Sequence, residues 1–184
     1  MLGQISRLAL LLAPLALLAS CGTKELVPDG PSGPEPAEEA AATFKLESGM
    51  NTAGSVSFTQ TDKGVTIVAS LTGLPPGKHG LHLHEKGVCD APDFTTAGEH
   101  FNPTNQPHAC PPVTSRHAGD FGNIEIGTDG TGRLELTTDL LTLGSGPSSA
   151  VGKAIILHDV EDDCTTQPSG GSGKRLGCAV VRMK

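Results

Sequence analysis

The sequence lacks an excess of positive charge, and this absence bears on its partners. Its 184 residues contain 13 Lys and Arg against 20 Asp and Glu, which gives a formal net charge of −7. A nucleic-acid-binding domain usually carries a basic patch or a basic overall balance. Nucleic acid is therefore not an expected partner.

The sequence also lacks a hydrophobic run that could span a bilayer. The apolar stretch at residues 8–18 follows Arg7 and is shorter than the roughly 20 residues that a transmembrane helix needs. A basic residue before a short apolar run is typical of a secretory signal peptide, which we assign to residues 1–20 and expect to be removed. Loss of Arg7 with this segment would bring the net charge to −8.

The predicted signal peptide ends in Leu18-Ala19-Ser20-Cys21. This segment resembles the lipobox of bacterial lipoproteins, in which the cysteine after small residues is lipidated and becomes the new N-terminus. We therefore predict that the protein is exported and that a lipid on Cys21 anchors it to the periplasmic or other extracytoplasmic face of a bacterial membrane. The alternative is ordinary cleavage that leaves Cys21 free.

Residues 22–42 contain four prolines among glycines and acids, and they have almost no apolar side chains to bury. This composition favours a flexible tether. The segment lacks the aromatic or basic pattern that would mark a binding arm, which is the alternative. Residues 43–184 then have the usual size of one domain.

The predicted domain lacks any long helical pattern and contains short alternating runs separated by turn residues. Eight such runs indicate an all-β fold, an eight-stranded antiparallel Greek-key sandwich or barrel. Residues 87–121 and 159–177 are expected to be two long functional loops. The predicted strands cover residues 43–46, 55–61, 65–71, 79–85, 123–126, 133–137, 154–158 and 178–182.

Six of the seven histidines have an arrangement that suits metal binding. His82 and His84 are two residues apart, so on a strand they face the same side, although such a pair alone is as compatible with a surface or core position. His158 ends an apolar strand, where a lone histidine is more often a core residue. The first long loop contains three imidazoles and a carboxylate, a complete tetrahedral set for zinc. These are His100, His108, His117 and Asp120.

Five segments resemble the signature segments of the copper-zinc superoxide dismutases, and the resemblance extends over roughly residues 42–184. The segments are residues 79–85 (HGLHLHE), 97–103 (AGEHFNP), 116–123 (RHAGDFGN), 158–163 (HDVEDD) and 173–178 (GKRLGC). Together with the lipobox-like segment, the resemblance indicates a bacterial, exported lipoprotein form of this family. It also implies that superoxide is the substrate and that dismutation to oxygen and hydrogen peroxide protects the cell envelope.

The resemblance further implies a copper ion and a zinc ion that are bridged by His100. Four imidazoles suit Cu(II), and the mixed set suits zinc, so the ligand types agree with this assignment. The implied copper ligands are His82, His84, His100 and His158. The implied zinc ligands are His100, His108, His117 and Asp120.

The resemblance assigns roles to three more residues. Asp162 would accept hydrogen bonds from His82 and His108 and fix their tautomers, whereas composition alone would place it in a solvated acidic run. Arg175 would line the copper channel and attract a small anion; its alternative is a surface arginine. His79 would be structural and bonded to the backbone.

Four cysteines follow Cys21, and an exported protein permits disulfides between them. The residues alone allow three pairings. The resemblance pairs Cys89 with Cys178.

Cys110 and Cys164 then remain. Each lies two residues after one partner of a predicted hydrogen bond, Cys110 after His108 and Cys164 after Asp162. We therefore hypothesise a second disulfide that joins the two long loops and holds Asp162 in place. The alternatives are two free thiols, or competition of Cys110 with His108 for zinc.

Two other functions stay open. A copper- or zinc-binding storage or delivery module would not need a bridging histidine and a channel arginine together with a complete zinc set. An inactive scaffold of the same fold would normally have lost a copper ligand or Arg175. The chain departs from the family in a shorter loop between Asp163 and Arg175 and in Lys174. A homodimer is compatible with the sequence, but no surface patch decides the oligomeric state.

Overall fold

The structure is a computed structural model, and it describes residues 37–46 and 53–184 of the chain. The predicted signal peptide, the predicted lipidation site Cys21 and tether residues 22–36 lie outside the described residues. The described part forms ten strands and one short 3-10 helix, Thr95–Ala97. The strands are β1 Glu39–Thr43, β2 Lys45–Leu46, β3 Ala53–Thr61, β4 Gly64–Thr72, β5 Gly77–His84, β6 Asp120–Ile126, β7 Thr131–Thr138, β8 Ala154–His158, β9 Arg175–Val180 and β10 Arg182–Met183.

The strands form one antiparallel sheet whose ends are joined by the chain itself. The strand order is β10-β1-β3-β4-β7-β6-β5-β8-β9-β2. β1 and β2 lie toward opposite ends of this order, yet only Phe44 separates them in sequence. β1 pairs with β3, whereas β2 pairs with β9. The sheet therefore closes into a barrel and leaves few strand edges unpaired.

The strand order contains a Greek key. β5, β6 and β7 are consecutive neighbours, and β4 lies beside β7 rather than beside β5. The predicted all-β class is therefore confirmed. Of the ten strands in the described residues, β2 and β10 have two residues each, so the number of longer strands matches the eight that were predicted.

β1 begins earlier than the sequence pattern predicted. Residues 39–42 belong to the predicted tether by composition, but they form most of β1 and pair with β3. Ala40 and Ala42 face the core and are buried. Alanine is depleted in strands, so local preference did not reveal this one; cross-strand pairing and burial outweigh that preference. The predicted boundary at residue 42 is thus corrected to the start of β1 at Glu39.

Strands on different sides of the barrel are buried in different ways. In β4, buried residues alternate with more exposed ones, as in a strand with one face on the core. Every residue of β8 is buried, and so are the last six residues of β5. We call β3, β4 and β7 the open-faced part of the barrel, and β5, β8 and β9 the loop-covered part.

Two long loops cover the outer side of β5 and β8. Residues 85–119 connect β5 to β6, and residues 159–174 connect β8 to β9. Phe94 of the first loop is buried against Ile156 of β8, in a small apolar cluster of its own. From the second loop, the carbonyl of Val160 accepts a hydrogen bond from Gly80 N–H of β5 at 3.0 Å. Within the residues that the structure describes, no helix is long and apolar enough to cross a membrane.

Candidate metal centre

The loop-covered part brings four histidines to one point. His82 and His84 alternate on β5, which pairs with β8, and His158 ends β8. His100 comes from the first long loop and forms an isolated antiparallel bridge with His84. The ring centroid of His82 lies 4.0 Å from that of His100 and 4.9 Å from that of His158. One ligand atom from each of these four histidines lies within 4.8 Å of the others, and we call the group the four-histidine cluster.

A second group, the His-Asp cluster, shares His100 and consists of His100, His108, His117 and Asp120. Asp120 lies at its centre. Its Oδ1 is 2.8 Å from Nδ1 of His100 and 3.2 Å from Nδ1 of His117, and its Oδ2 is 3.1 Å from Nδ1 of His108. Oδ2 also accepts the backbone N–H of Ala109 at 3.2 Å. All four cluster residues are buried, so the cluster is closed to solvent.

Asp162 connects the two clusters. Nε2 of His82 donates to its Oδ2 at 2.8 Å, and Nε2 of His108 donates to its Oδ1 at 3.0 Å. Because each Nε2 is the donor, the Nδ1 of each ring is left facing its own cluster. The two hydrogen bonds expected of Asp162 are therefore formed in the structure.

Several buried ring nitrogens of these clusters have no hydrogen-bond partner in the described part of the chain. A buried polar atom without a partner costs about 1–3 kcal/mol, so such a group of atoms requires a common partner. Imidazole nitrogens are satisfied by a metal ion at about 2 Å, and copper and zinc both accept them. These nitrogens fit one metal ion in the four-histidine cluster, and the three imidazoles and one carboxylate of the His-Asp cluster are a donor set for a second. The unpartnered atoms are His82 Nδ1, His84 Nε2, His100 Nε2, and both ring nitrogens of His158.

Burial lowers the pKa of three histidines of the four-histidine cluster, His82, His84 and His158. Burial and then the neighbouring His100 lower the pKa of His82 to about 4. Burial and then the neighbouring His82 lower the pKa of His158 to about 2. Burial likewise holds the pKa of His84 well below its usual value. At neutral pH these three imidazoles are therefore in the form that binds a metal.

In the His-Asp cluster, the pKa of His108 is raised rather than lowered. Burial alone would lower the pKa of His108, but its hydrogen bonds to Asp120 and Asp162 raise it to about 9. Burial alone would raise the pKa values of the Asp120 and Asp162 carboxyls. Hydrogen bonds from the surrounding histidines instead hold both pKa values well below the usual range. The cluster is thus arranged to stabilise a positive charge at the position of His108.

Arg175 lies beside the four-histidine cluster. Its Nη1 donates to the carbonyl of Phe94 and its Nη2 to the carbonyl of Gly98, each at 2.8 Å. The carbonyl of Gly98 also accepts Nδ1 of His84 at 2.8 Å, so one backbone oxygen connects the guanidinium to the cluster. Arg175 and Lys174 line a surface cleft between the two long loops. A fixed, permanently charged guanidinium at this position suits a small anion.

A family comparison accounts for the two clusters. Residues 52–181 match the copper/zinc superoxide dismutase family. The chain belongs to this family. It is similar to the crystal structure of the clock protein EA4, with 34% identity, a TM-score of 0.73, and coverage of 83% of this chain and 99% of that chain. It is also similar to the crystal structure of a double mutant of a SOD-like protein from Bacillus subtilis, with 36% identity, a TM-score of 0.69, and coverage of 76% of this chain and 94% of that chain.

This member of the superoxide dismutase family carries two disulfides in its described residues. Cys89 is bonded to Cys178, with Cα atoms 5.6 Å apart. Cys110 is bonded to Cys164, with Cα atoms 5.0 Å apart. Both pairs match those named from the sequence, and the second joins the two long loops. Cys178 is fully buried, whereas both cysteines of the second pair are partly exposed.

His79 has the structural position that the family resemblance implied. Its Nδ1 lies 3.0 Å from the carbonyl oxygen of His158, and its Nε2 lies 3.1 Å from that of Pro75. Both ring nitrogens thus lie beside backbone carbonyl oxygens, and His79 belongs to neither of the two clusters.

Two amide side chains that hold residues of this superoxide dismutase site were not predicted from the sequence. Asn123 accepts the backbone N–H of Asp162 at 2.8 Å and donates to its carbonyl at 2.9 Å. Gln167 accepts the backbone N–H of His108 and donates to its carbonyl, both at 2.8 Å. Each amide fixes the backbone of one site residue from a distant point of the chain. No local spacing signals such pairs; the only available hint was that Asn123 lies in a matched segment.

Proposed function

We propose that this chain is an active copper-zinc superoxide dismutase of the cell envelope. The observation that carries the proposal is the presence of two complete clusters that share His100, with Arg175 beside them. Copper would be bound by His82, His84, His100 and His158. Zinc would be bound by His100, His108, His117 and Asp120.

Bound copper would supply the one-electron redox chemistry that converts two superoxide anions and two protons to oxygen and hydrogen peroxide, and bound zinc a fixed positive charge. The residues of the chain would hold the substrate and the protons. Nδ1 of His100 faces Asp120, and Nε2 faces the four-histidine cluster. The ring can therefore hold a proton at Nε2 in one half of the cycle and return it in the other. Asp162 keeps the neighbouring rings of His82 and His108 in one tautomer.

Capture of superoxide requires a local positive field. With a net charge of −8, the mature chain would repel an anion on average. Arg175 and the exposed Lys174 lie together at the cleft between the long loops. Because the loop between Asp163 and Arg175 is shorter than usual for the family, we assign most of the steering to these two cations.

The proposal is tested by measuring metal content and superoxide turnover on the same preparation. We expect mature protein loaded with copper and zinc to bind about one ion of each per chain and to turn superoxide over. Two bound ions without turnover would contradict the proposal and would support the inactive scaffold or the storage and delivery module. Failure to bind either ion would also contradict it.

Arg175 provides a test of charge sign. Arg175→Ala should lower kcat/KM without releasing either metal, and Arg175→Glu should lower it further because the charge at the cleft is inverted. Arg133→Glu is the matched control, because it changes the net charge equally on exposed β7. Equal rates for the two Arg175 variants, or an equal loss in Arg133→Glu, would show that Arg175 does not guide superoxide.

We also propose that the protein is exported and anchored by a lipid on Cys21. Two disulfides support export, because disulfides persist in oxidising compartments. Cys21→Ser should abolish incorporation of labelled palmitate and move the protein from the membrane fraction to the soluble fraction. Cys110→Ser is the control and should keep the label. Incorporation of labelled palmitate into Cys21→Ser protein would contradict the proposed lipid anchor on Cys21.

A further inference from the structure

The backbone of His108 is held by a side chain from the other long loop. Gln167 bonds to both its N–H and its carbonyl at 2.8 Å, in the pattern of one step of an antiparallel ladder. The ring of His108 is then held at Nε2 by Asp162 at 3.0 Å. Both ends of this residue are therefore positioned by residues 162–167, and none of these contacts requires a metal.

A covalent bond joins the same two regions. The Cys110–Cys164 disulfide starts two residues after His108 and ends two residues after Asp162. The N–H of Cys164 also donates to Oδ1 of Asp162 at 2.7 Å. The disulfide therefore keeps the hydrogen-bonded pair of His108 and Asp162 from separating, because it removes most of the relative freedom of their loops.

The segment that carries Asp162 is ordered by its own hydrogen bonds. Asp163 accepts the backbone N–H groups of Thr165 and Thr166 at 2.9 and 2.8 Å. Gly170 N–H donates to the carbonyl of Thr166 at 2.7 Å, and its carbonyl accepts Asp163 N–H at 2.9 Å. Gly170 has a φ of +71°, and a Cβ there would overlap the carboxylate of Asp162, so only glycine can close this turn over the pair.

We propose that Gln167 and the Cys110–Cys164 disulfide are positioning residues for His108 that preform the zinc site before any metal binds. The proposal rests on the assignment of zinc to the His-Asp cluster, but the predicted order of the loop does not. In a preformed site the ion does not have to order the loop, so less binding free energy is lost to ordering. The expected consequences are an ordered first loop in the metal-free protein and slow release of zinc.

The first measurement is hydrogen exchange on the metal-free mature protein. We expect backbone amides of residues 100–120 to be protected in the wild type and to lose at least about tenfold in protection in Gln167→Ala and in the double variant Cys110→Ser with Cys164→Ser. Ile67→Val is the matched control. It places a small cavity at a buried position of β4, a strand without site residues, and should leave the loop protected.

The second measurement is the rate at which the zinc-loaded protein transfers zinc to a colorimetric chelator. Loss of a contact that orients a metal ligand typically costs 10–100-fold in affinity, so we expect release to be about tenfold faster or more in both loop variants and unchanged in Ile67→Val. Gln167→Glu keeps the acceptor for His108 N–H and loses the donor, so its rate should lie between those of wild type and Gln167→Ala.

Three results would overturn the proposal: an unprotected loop in metal-free wild type, wild-type release rates in both loop variants, or equally fast release in Ile67→Val. If the double cysteine variant does not fold, Gln167→Ala and Gln167→Glu decide the matter, since they leave both disulfides intact. A protected loop that binds no zinc would support the positioning role and overturn the zinc assignment instead.

Discussion

β4 and β8 are strands of the same barrel, but they are buried in different ways. Along β4, Val65, Ile67, Ala69 and Leu71 are buried and the residues between them are more exposed. All five residues of β8 are buried. A single sheet can bury only one face on its core, so the second face of β8 is buried only because the long loops cover it. One face of the barrel therefore forms the core of the fold, whereas the covered second face carries the candidate metal centre.

The polar groups of the two parts are satisfied in different ways. On the open-faced part, Arg133 and Glu135 form an exposed ion pair at 2.6 Å that water can replace. In the loop-covered part, His82 and Asp162 form a fully buried pair that water cannot reach. Substitutions in the open-faced part should therefore change stability, and those in the loop-covered part should change chemistry. The following predictions test this division, beginning with the largest expected effect.

His158→Ala in the loop-covered part should reduce superoxide turnover to background and leave zinc bound. His158 belongs only to the four-histidine cluster, and the three remaining imidazoles cannot restore its geometry. Turnover and metal content measured together check this. Ser70→Ala, on the exposed face of β4, is the control and should keep both. Full activity of His158→Ala would contradict the assignment of His158 as a copper ligand.

Phe58→Ala should lower the stability of the fold and leave the metal content unchanged. Phe58 of β3 is fully buried in the main core, so its truncation should lower the free energy of unfolding by about 3–5 kcal/mol. Chemical denaturation of the metal-loaded protein gives this value, and the metal content of the folded protein should stay unchanged. Loss of either metal at a temperature where the variant is folded would argue against the division between the two parts.

Zinc affinity should depend on pH through His108. The pKa of His108 is about 9 because Asp120 and Asp162 outweigh burial, and zinc binds only the deprotonated ring. Zinc must therefore displace this proton, and each unit of pH below 9 should lower the zinc affinity by up to about tenfold. Chelator competition between pH 7 and 9 measures the slope. A flat profile would exclude a proton on His108.

The raised pKa of His108 should also make the stability of the metal-free protein fall as the pH rises. A raised pKa means that the folded state binds the proton more tightly than the unfolded state. The resulting stabilisation from His108 is fully present below pH 6.5 and is lost as the pH rises through about 9. Thermal midpoints of metal-free protein should therefore fall over this range. In the folded state the pKa values of His82 and His158 lie at about 4 and 2, so both rings are neutral there, and their unfolded-state titration near 6.5 affects only the lower end of the range.

The smallest effect is expected for Thr137→Ala on the open face. Its hydroxyl lies 2.9 Å from that of Thr66 across the strand pair, and both residues are at the surface. A cross-strand pair of this kind contributes roughly 0.2–1 kcal/mol, so the free energy of unfolding should fall within that range and turnover should not change. A fall in the free energy of unfolding as large as that of Phe58→Ala would show that Thr137 contributes like a core residue rather than a surface residue.

The fold was predictable from the sequence wherever side chains alternate. The runs that became β3, β4 and β7 contain apolar residues at every second position, and this period is set by the pleat of a single strand. β1 was missed because its alanines carry no strand preference and are buried only after β3 pairs with them. The start of β9 at Arg175 also came three residues earlier than predicted, since pairing with β8 extends it.

The residue types of the candidate site were also readable in advance. The spacing of His82 and His84 and the loop segment from His100 to Asp120 are local patterns, and the resemblance to a family added His158, Asp162 and Arg175. The pairing of Cys110 with Cys164 followed by a longer inference, from a predicted hydrogen bond between their neighbours. The amides of Asn123 and Gln167 could not be found in this way, because their partners lie 39 and 59 residues away.

Most of the strands, the two long loops and the ligand residues from His82 to Asp120 were predictable from the amino-acid sequence, because each depends on spacing over a few residues. Which face of β5 and β8 carries the candidate site depends instead on how the long loops fold over the barrel. The tertiary structure also decided how His108 acquires a raised pKa while His82 acquires a lowered one, although both are buried histidines bonded to Asp162. Of these two histidines, only His108 also contacts Asp120, and the distance between two charges in a folded chain is not encoded by any local pattern.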